Sequence, residues 1–148
     1  HSDLDAVWLR NPLHLLDEES DITASVDRGG FPPETFERWK FTMCMGWMFY
    51  RSNSKVLGIF EDILLNEKDF DDQIEMNNYL SSRIMLENIY NMVDGGWKMK
   101  LENLNIKVLD KGVVKRGDFD ENAYVCHPLM KKKADCKTQL KRRGLWVL

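Results

Sequence analysis

Asp3-Leu4-Asp5-Ala6-Val7-Trp8-Leu9-Arg10-Asn11-Pro12-Leu13 sets two acids, two residues apart, directly ahead of an apolar run that a proline ends. Asp3 to Leu9 reads as the end of a buried strand. Residues i and i+2 of a strand point to one face, so the two carboxylates share a face. Two acids in that position repel unless water or a cation lies between them. Hard divalent ions such as Mg²⁺ and Mn²⁺ take oxygen ligands and often share them with substrate phosphates. The exposed end of a buried strand is also where an open α/β sheet holds its ligands. An isolated Asp-x-Asp pair is more often two solvated acids, so its meaning depends on the rest of the chain.

Leu13 to Leu16 reads as one short turn and Asp21 to Val26 as a short strand. Asp27 to Pro33, with two glycines and two prolines, reads as a loop. Phe41 to Arg51 is an apolar, aromatic-rich run expected to form a central strand, and Gly46 within it marks close approach by another backbone or a ligand. Ser52-Asn53-Ser54 is an N-cap cluster ahead of a helix carrying Val56, Leu57, Ile59, Phe60, Ile63 and Leu64. Asp71 to Ile84 reads as a second helix. Gly95-Gly96 is a turn, Trp97 to Leu109 gives one or two strands, and Lys115 to Asn122 is a polar loop. Ala123 to His127 is a short strand, and Lys131 to Arg143 is a basic helix that Gly144 stops. Strands alternating with helices predict a layered α/β domain.

At 148 residues the chain fits one domain. Its 43% hydrophobic and 30% charged residues are those of a globular protein and exclude disorder. Three cysteines without metal-type spacing imply no disulfide scaffold, although a Cys126–Cys136 bridge stays open in an oxidising compartment. From His127 onward seven Lys and Arg oppose Asp135, a net of +6 that leaves −9 for the remainder of a chain totalling −3. A basic tail on an acidic body suits an anionic ligand or a solvated helix face. The acidic remainder argues against nucleic acid as partner. No Gly-rich phosphate loop, zinc pattern or Gly-x-Ser-x-Gly elbow occurs.

The opening segment resembles the Asp-x-Asp-x-Val-Trp-Leu-Arg-(Asp/Asn)-Pro motif of the nucleotide-diphospho-sugar transferase family, which includes cell-wall arabinosyl- and xylosyltransferases. The resemblance continues in order through Met45-Gly46-Trp47-Met48-Phe49-Tyr50-Arg51-Ser52, then Asp72-Gln73 with Asn77. It closes with His127, Lys137, Leu140, Lys141 and Gly144-Leu145-Trp146. The chain departs from the pattern at Cys44, where the family has Asn, at Pro128-Leu129, where it has Ala-Asn, and at Lys133, where Gly is common.

This resemblance implies an α/β fold, the C-terminal part of a GT-A (Rossmann-like) glycosyltransferase domain with a mixed sheet and flanking helices. Residues 1–148 are then a partial domain whose nucleotide-binding half lies upstream of His1. The implied activity is sugar transfer from a nucleotide-sugar donor, a UDP-sugar, to a glycan or glycoprotein acceptor with Mn²⁺ or Mg²⁺. Asp3, Asp5 and His127 are the implied metal ligands, and Asp3 can instead meet the nucleotide ribose. Lys131 and Lys133, with Lys132, are candidates for the phosphates or are simply solvated. Asp72 and Gln73 are candidates for the transferred sugar, or helix-start residues that the dipole favours. Trp8, Trp47 and Trp97 are candidates for stacking on sugars, with core packing expected for the first two. The family further implies the Golgi lumen and a membrane anchor upstream of His1. The departures keep a non-catalytic interaction module as the second reading.

Overall fold

The computed structural model describes residues 1–3, 5–27, 29–66, 71–116, 119–127, 138, 140–142 and 144. The chain is α/β with a mixed sheet. Strands β1 (Val7–Trp8), β2 (Ile22–Asp27), β3 (Thr42–Tyr50), β4 (Ile89–Asn91), β5 (Trp97–Leu101), β6 (Leu104–Leu109), β7 (Val114–Arg116) and β8 (Val125–His127) accompany helices α1 (Pro33–Trp39), α2 (Ser54–Asn66) and α3 (Asp72–Arg83). Five strands pair in the order β3-β2-β6-β5-β4, and three form a second sheet, β1-β8-β7. The β2–β6 and β7–β8 pairs are parallel and the others antiparallel. No helix among the described residues is long and apolar enough to cross a membrane.

The main core lies between the five-stranded sheet and the helices, built on Ile22, Ala24, Phe41, Met43, Met48, Met76, Leu80 and Ile106. Phe41 stacks between Trp39 and Trp97 at centroid distances of 5.6 and 4.3 Å. Trp97 is therefore a core aromatic. Trp47 is buried as expected, but Trp8 is half exposed, its indole N–H donating to Ser2 Oγ at 3.2 Å.

Several expectations shift. Asp3 to Leu9 is not one strand, since only Val7 and Trp8 form a ladder, on β8. Pro33 does not close a loop but opens α1, because its fixed φ suits the first helical turn. Val114–Arg116 and Ile89–Asn91 are short strands that no strand pattern in the sequence announces.

The run after Phe41 is a strand, yet it ends the five-stranded order instead of lying at its centre. Its outer edge is satisfied by other means. Asn77 of α3 accepts from Met43 N–H and donates to Met43 O, both at 2.8 Å. Further along, residues 1–3 pair with the strand through a Ser2–Trp47 bridge, with Asp3 N–H donating to Gly46 O at 2.9 Å and Met48 N–H to His1 O at 3.0 Å. Of the basic C-terminal segment, Thr138 and residues 140–142 are helical, and Gly144 takes the left-handed φ of 67° expected of a helix stop.

Candidate metal and donor site

The site begins with a bulge. Ala24 of β2 pairs with Met48, but the next residue, Ser25, pairs with Cys44, so Met45, Gly46 and Trp47 have no partner in β2. Bulges of this kind re-aim strands beside functional sites. The Ser25 hydroxyl faces the carbonyls at both ends of the bulge, Cys44 O at 3.5 Å and Trp47 O at 3.4 Å.

Gly46 at the centre of the bulge carries the imidazole of His127. A Cβ there would lie 2.0 Å from His127 Cε1 and 2.1 Å from Nδ1, so no side chain fits unless the ring moves. The close approach that Gly46 signals is thus made by a side chain.

His127 ends β8 and is buried. Its Nε2 lies 3.2 Å from Asp3 Oδ2 and 3.2 Å from Asp5 Oδ1. One ligand atom from each of the three residues falls within 4.8 Å of the others. The acids converge because Asp3 is tied to Gly46 and a turn, Ala6 N–H to Asp3 O at 3.0 Å, folds the chain back. Strand alternation, expected from the i, i+2 spacing, is not what brings them together. Burial and the nearby Arg116 cation lower the pKa of His127 against the opposing pull of Asp5 and Asp3, which favours neutral imidazole, the form that binds metals.

Asp3, Asp5, Gly46 and His127 share the wall of a pocket of about 330 Å³ with Asp71, Asp72 and Gln73 at the start of α3. Asp71 is the N-cap, accepting from Ile74 N–H at 3.0 Å. Asp72 is therefore not needed as the cap. Burial, reinforced by the Asp3 and Asp71 carboxylates, raises its pKa. Gln73 donates to Phe31 O at 3.0 Å and faces Asp27 Oδ2 at 3.4 Å.

Arg116 and Asp27 escaped the sequence reading. Arg116 pairs in register with His127 across the parallel β7–β8 ladder, which brings the two side chains to one face. It forms an ion pair with Asp27, at the end of β2. Among the described residues lining the pocket, Arg116 is the only permanent cation. No local signal marks it, since a single Arg in a polar stretch shows nothing of the register that aligns it with His127. Lys131 and Lys133 lie outside the described residues, as do Lys132, Lys137, Cys136 and Trp146.

The donor set fits a divalent cation. Two carboxylate oxygens and one buried imidazole nitrogen converge in the wall of a pocket where, among the described residues, acids outnumber cations. Oxygen with a single imidazole suits Mn²⁺ or Mg²⁺ better than it suits soft thiophilic ions.

No curated protein and no solved structure matches the chain significantly. The profile of the nucleotide-diphospho-sugar transferases does match, over residues 1–142. That span takes in both acids, the Gly46 bulge, the start of α3 and His127, and the chain belongs to the nucleotide-diphospho-sugar transferase family.

Proposed function

We propose that this chain forms the metal and sugar side of a glycosyltransferase site that binds a nucleotide-diphospho-sugar, with a UDP-sugar as the first candidate. The convergence of Asp3, Asp5 and His127, drawn from opposite ends of the sequence onto one corner of a pocket, carries this reading. These three residues would hold the divalent cation, which would supply positive charge against the negative charge that builds on a departing nucleoside diphosphate.

The remaining roles follow from the neighbours. Arg116, kept in place by Asp27, offers its guanidinium to a phosphate oxygen or to the leaving group. Asp72 faces the same pocket with a carboxyl whose ionisation burial and the Asp3 and Asp71 carboxylates disfavour, which suits a hydrogen bond to a sugar hydroxyl. Gln73 steadies Asp27 and the loop at Phe31. The acceptor is a glycan or glycoprotein hydroxyl.

The test is donor hydrolysis or transfer across a panel of nucleotide sugars, with and without Mn²⁺. Activity should require Mn²⁺ or Mg²⁺ and fall at least about a hundredfold in Asp5→Asn, the scale expected when a metal clamp is lost. Equal activity in Asp5→Asn and in the unaltered protein would defeat the proposal.

A further inference from the structure

The imidazole of His127 has two nitrogens, and the second has an unusual partner. Nδ1 lies 3.4 Å from the sulfur of Cys44, a side chain with no exposure to solvent. The sulfur in turn accepts from Gly46 N–H at 3.3 Å. Cys44 sits opposite Ser25 at the edge of the bulge, so the strand register fixes its position. On its face the ring is stopped by Gly46, on one edge by the sulfur and on the other by Asp3 and Asp5.

We infer that Cys44 is the positioning residue of the metal corner, its sulfur holding Nδ1 so that Nε2 stays aimed at Asp3 and Asp5. This rests on the reading of His127 as a ligand. A thiol suits the task because it can donate through S–H and accept through sulfur. With Nε2–H donating to the acids, Nδ1 accepts from the thiol. With Nε2 bare for a cation, Nδ1–H donates to the sulfur. The ring therefore keeps one orientation in both tautomers and need not turn when a cation arrives. A metal-bound histidine generally has its far nitrogen fixed in this way, and losing the partner costs about 10–100-fold in metal affinity.

The test uses the full chain, with Mn²⁺ binding measured by calorimetry and the His127 ring nitrogens by ¹⁵N NMR, without cation and with diamagnetic Mg²⁺. Cys44→Ala should bind Mn²⁺ about 10–100-fold more weakly. Cys44→Ser, whose hydroxyl also donates and accepts, should recover most of that loss. The Nδ1 signal should report a hydrogen bond with and without Mg²⁺ in the unaltered chain and in Cys44→Ser, and lose it in Cys44→Ala. An unchanged Nδ1 signal or unchanged Mn²⁺ affinity in Cys44→Ala overturns the inference, and Cys44→Ser keeps the test open should the alanine variant fail to fold. His127→Ala binding Mn²⁺ as tightly as the unaltered chain would instead overturn the ligand reading, while the Nδ1 signals judge the sulfur contact independently.

Discussion

Gly46 shows how much can rest on a missing side chain. His127 occupies the space a Cβ would need, so Gly46→Ala must displace either the ring or the bulge. Overpacking of this kind costs about 1–3 kcal/mol. Because the displaced ring carries Nε2, Mn²⁺ affinity should drop with stability, by about tenfold or more. Thermal unfolding and calorimetry on the one variant check both effects, and a loss of stability with full Mn²⁺ affinity would contradict the geometry. At this scale the sequence was informative about residue types and weak on contacts. Gly46 stands out within its apolar run, whereas the two acids and His127 gain their meaning from the family pattern they match in order. Asp27 and Arg116 carry no such mark, and Cys44 shows only as a departure from that pattern, because their roles come from a shifted β2–β3 register and a parallel β7–β8 pairing, and a single sequence encodes neither in local spacing.

Helix α3 links the fold to the site. Asn77 is fully buried and pairs both polar groups of Met43 on the open side of β3, while also donating to Gln73 O at 2.8 Å. Its amide acts as a one-residue extension of the sheet and fixes where the start of α3, with Asp72 and Gln73, meets the pocket. Asn77→Ala strands a buried N–H and C=O and should cost about 2–6 kcal/mol in denaturant unfolding, since each orphaned group costs about 1–3 kcal/mol. A loss under 1 kcal/mol would mean water takes its place. This also explains why β3 could be mistaken for a central strand. A continuous apolar run reports that both faces are covered, not how many strands flank it, and here a helix amide and the first three residues do part of the covering.

A second tie joins the segment before β2 to β6. Burial raises the pKa of Asp17, but hydrogen bonds from Ser20 and Lys107 outweigh it and hold the pKa at about 2. A folded pKa below the unfolded value of about 3.9 stabilises above pH ~4 and is lost as pH falls toward 2. Asp17→Asn should therefore cost on the order of 1–2 kcal/mol at pH 7, allowing for partial exposure, and the difference should close between pH 4 and 2. A pH-independent difference in urea unfolding would assign the effect to packing.

At the scale of the whole molecule, the pocket gathers carboxylates from the first residues and from the start of α3 against one guanidinium, which Asp27 of β2 already pairs. Their mutual repulsion works against folding, and two kinds of cation could relieve it. A diffuse salt atmosphere acts on all exposed charges, with a Debye length of about 8 Å at physiological ionic strength. A coordinated ion acts only where the three ligand atoms meet, and adds stability as its concentration exceeds its dissociation constant, by about 2.7 kcal/mol at a hundredfold excess. For a chain of this length that corresponds to a rise in Tm of about 5–10 °C, at roughly 2–4 °C per kcal/mol. Mn²⁺ should produce this rise and NaCl at equal ionic strength should not. Ca²⁺ should produce less, because it prefers oxygen to imidazole nitrogen. Asp5→Asn should abolish the Mn²⁺ rise while leaving the response to NaCl intact. If Asp5→Asn keeps the Mn²⁺ rise, the ions act as atmosphere and the meeting of Asp3, Asp5 and His127 is a hydrogen-bonded corner of the fold, with Nε2 donating to the acids and no ion required.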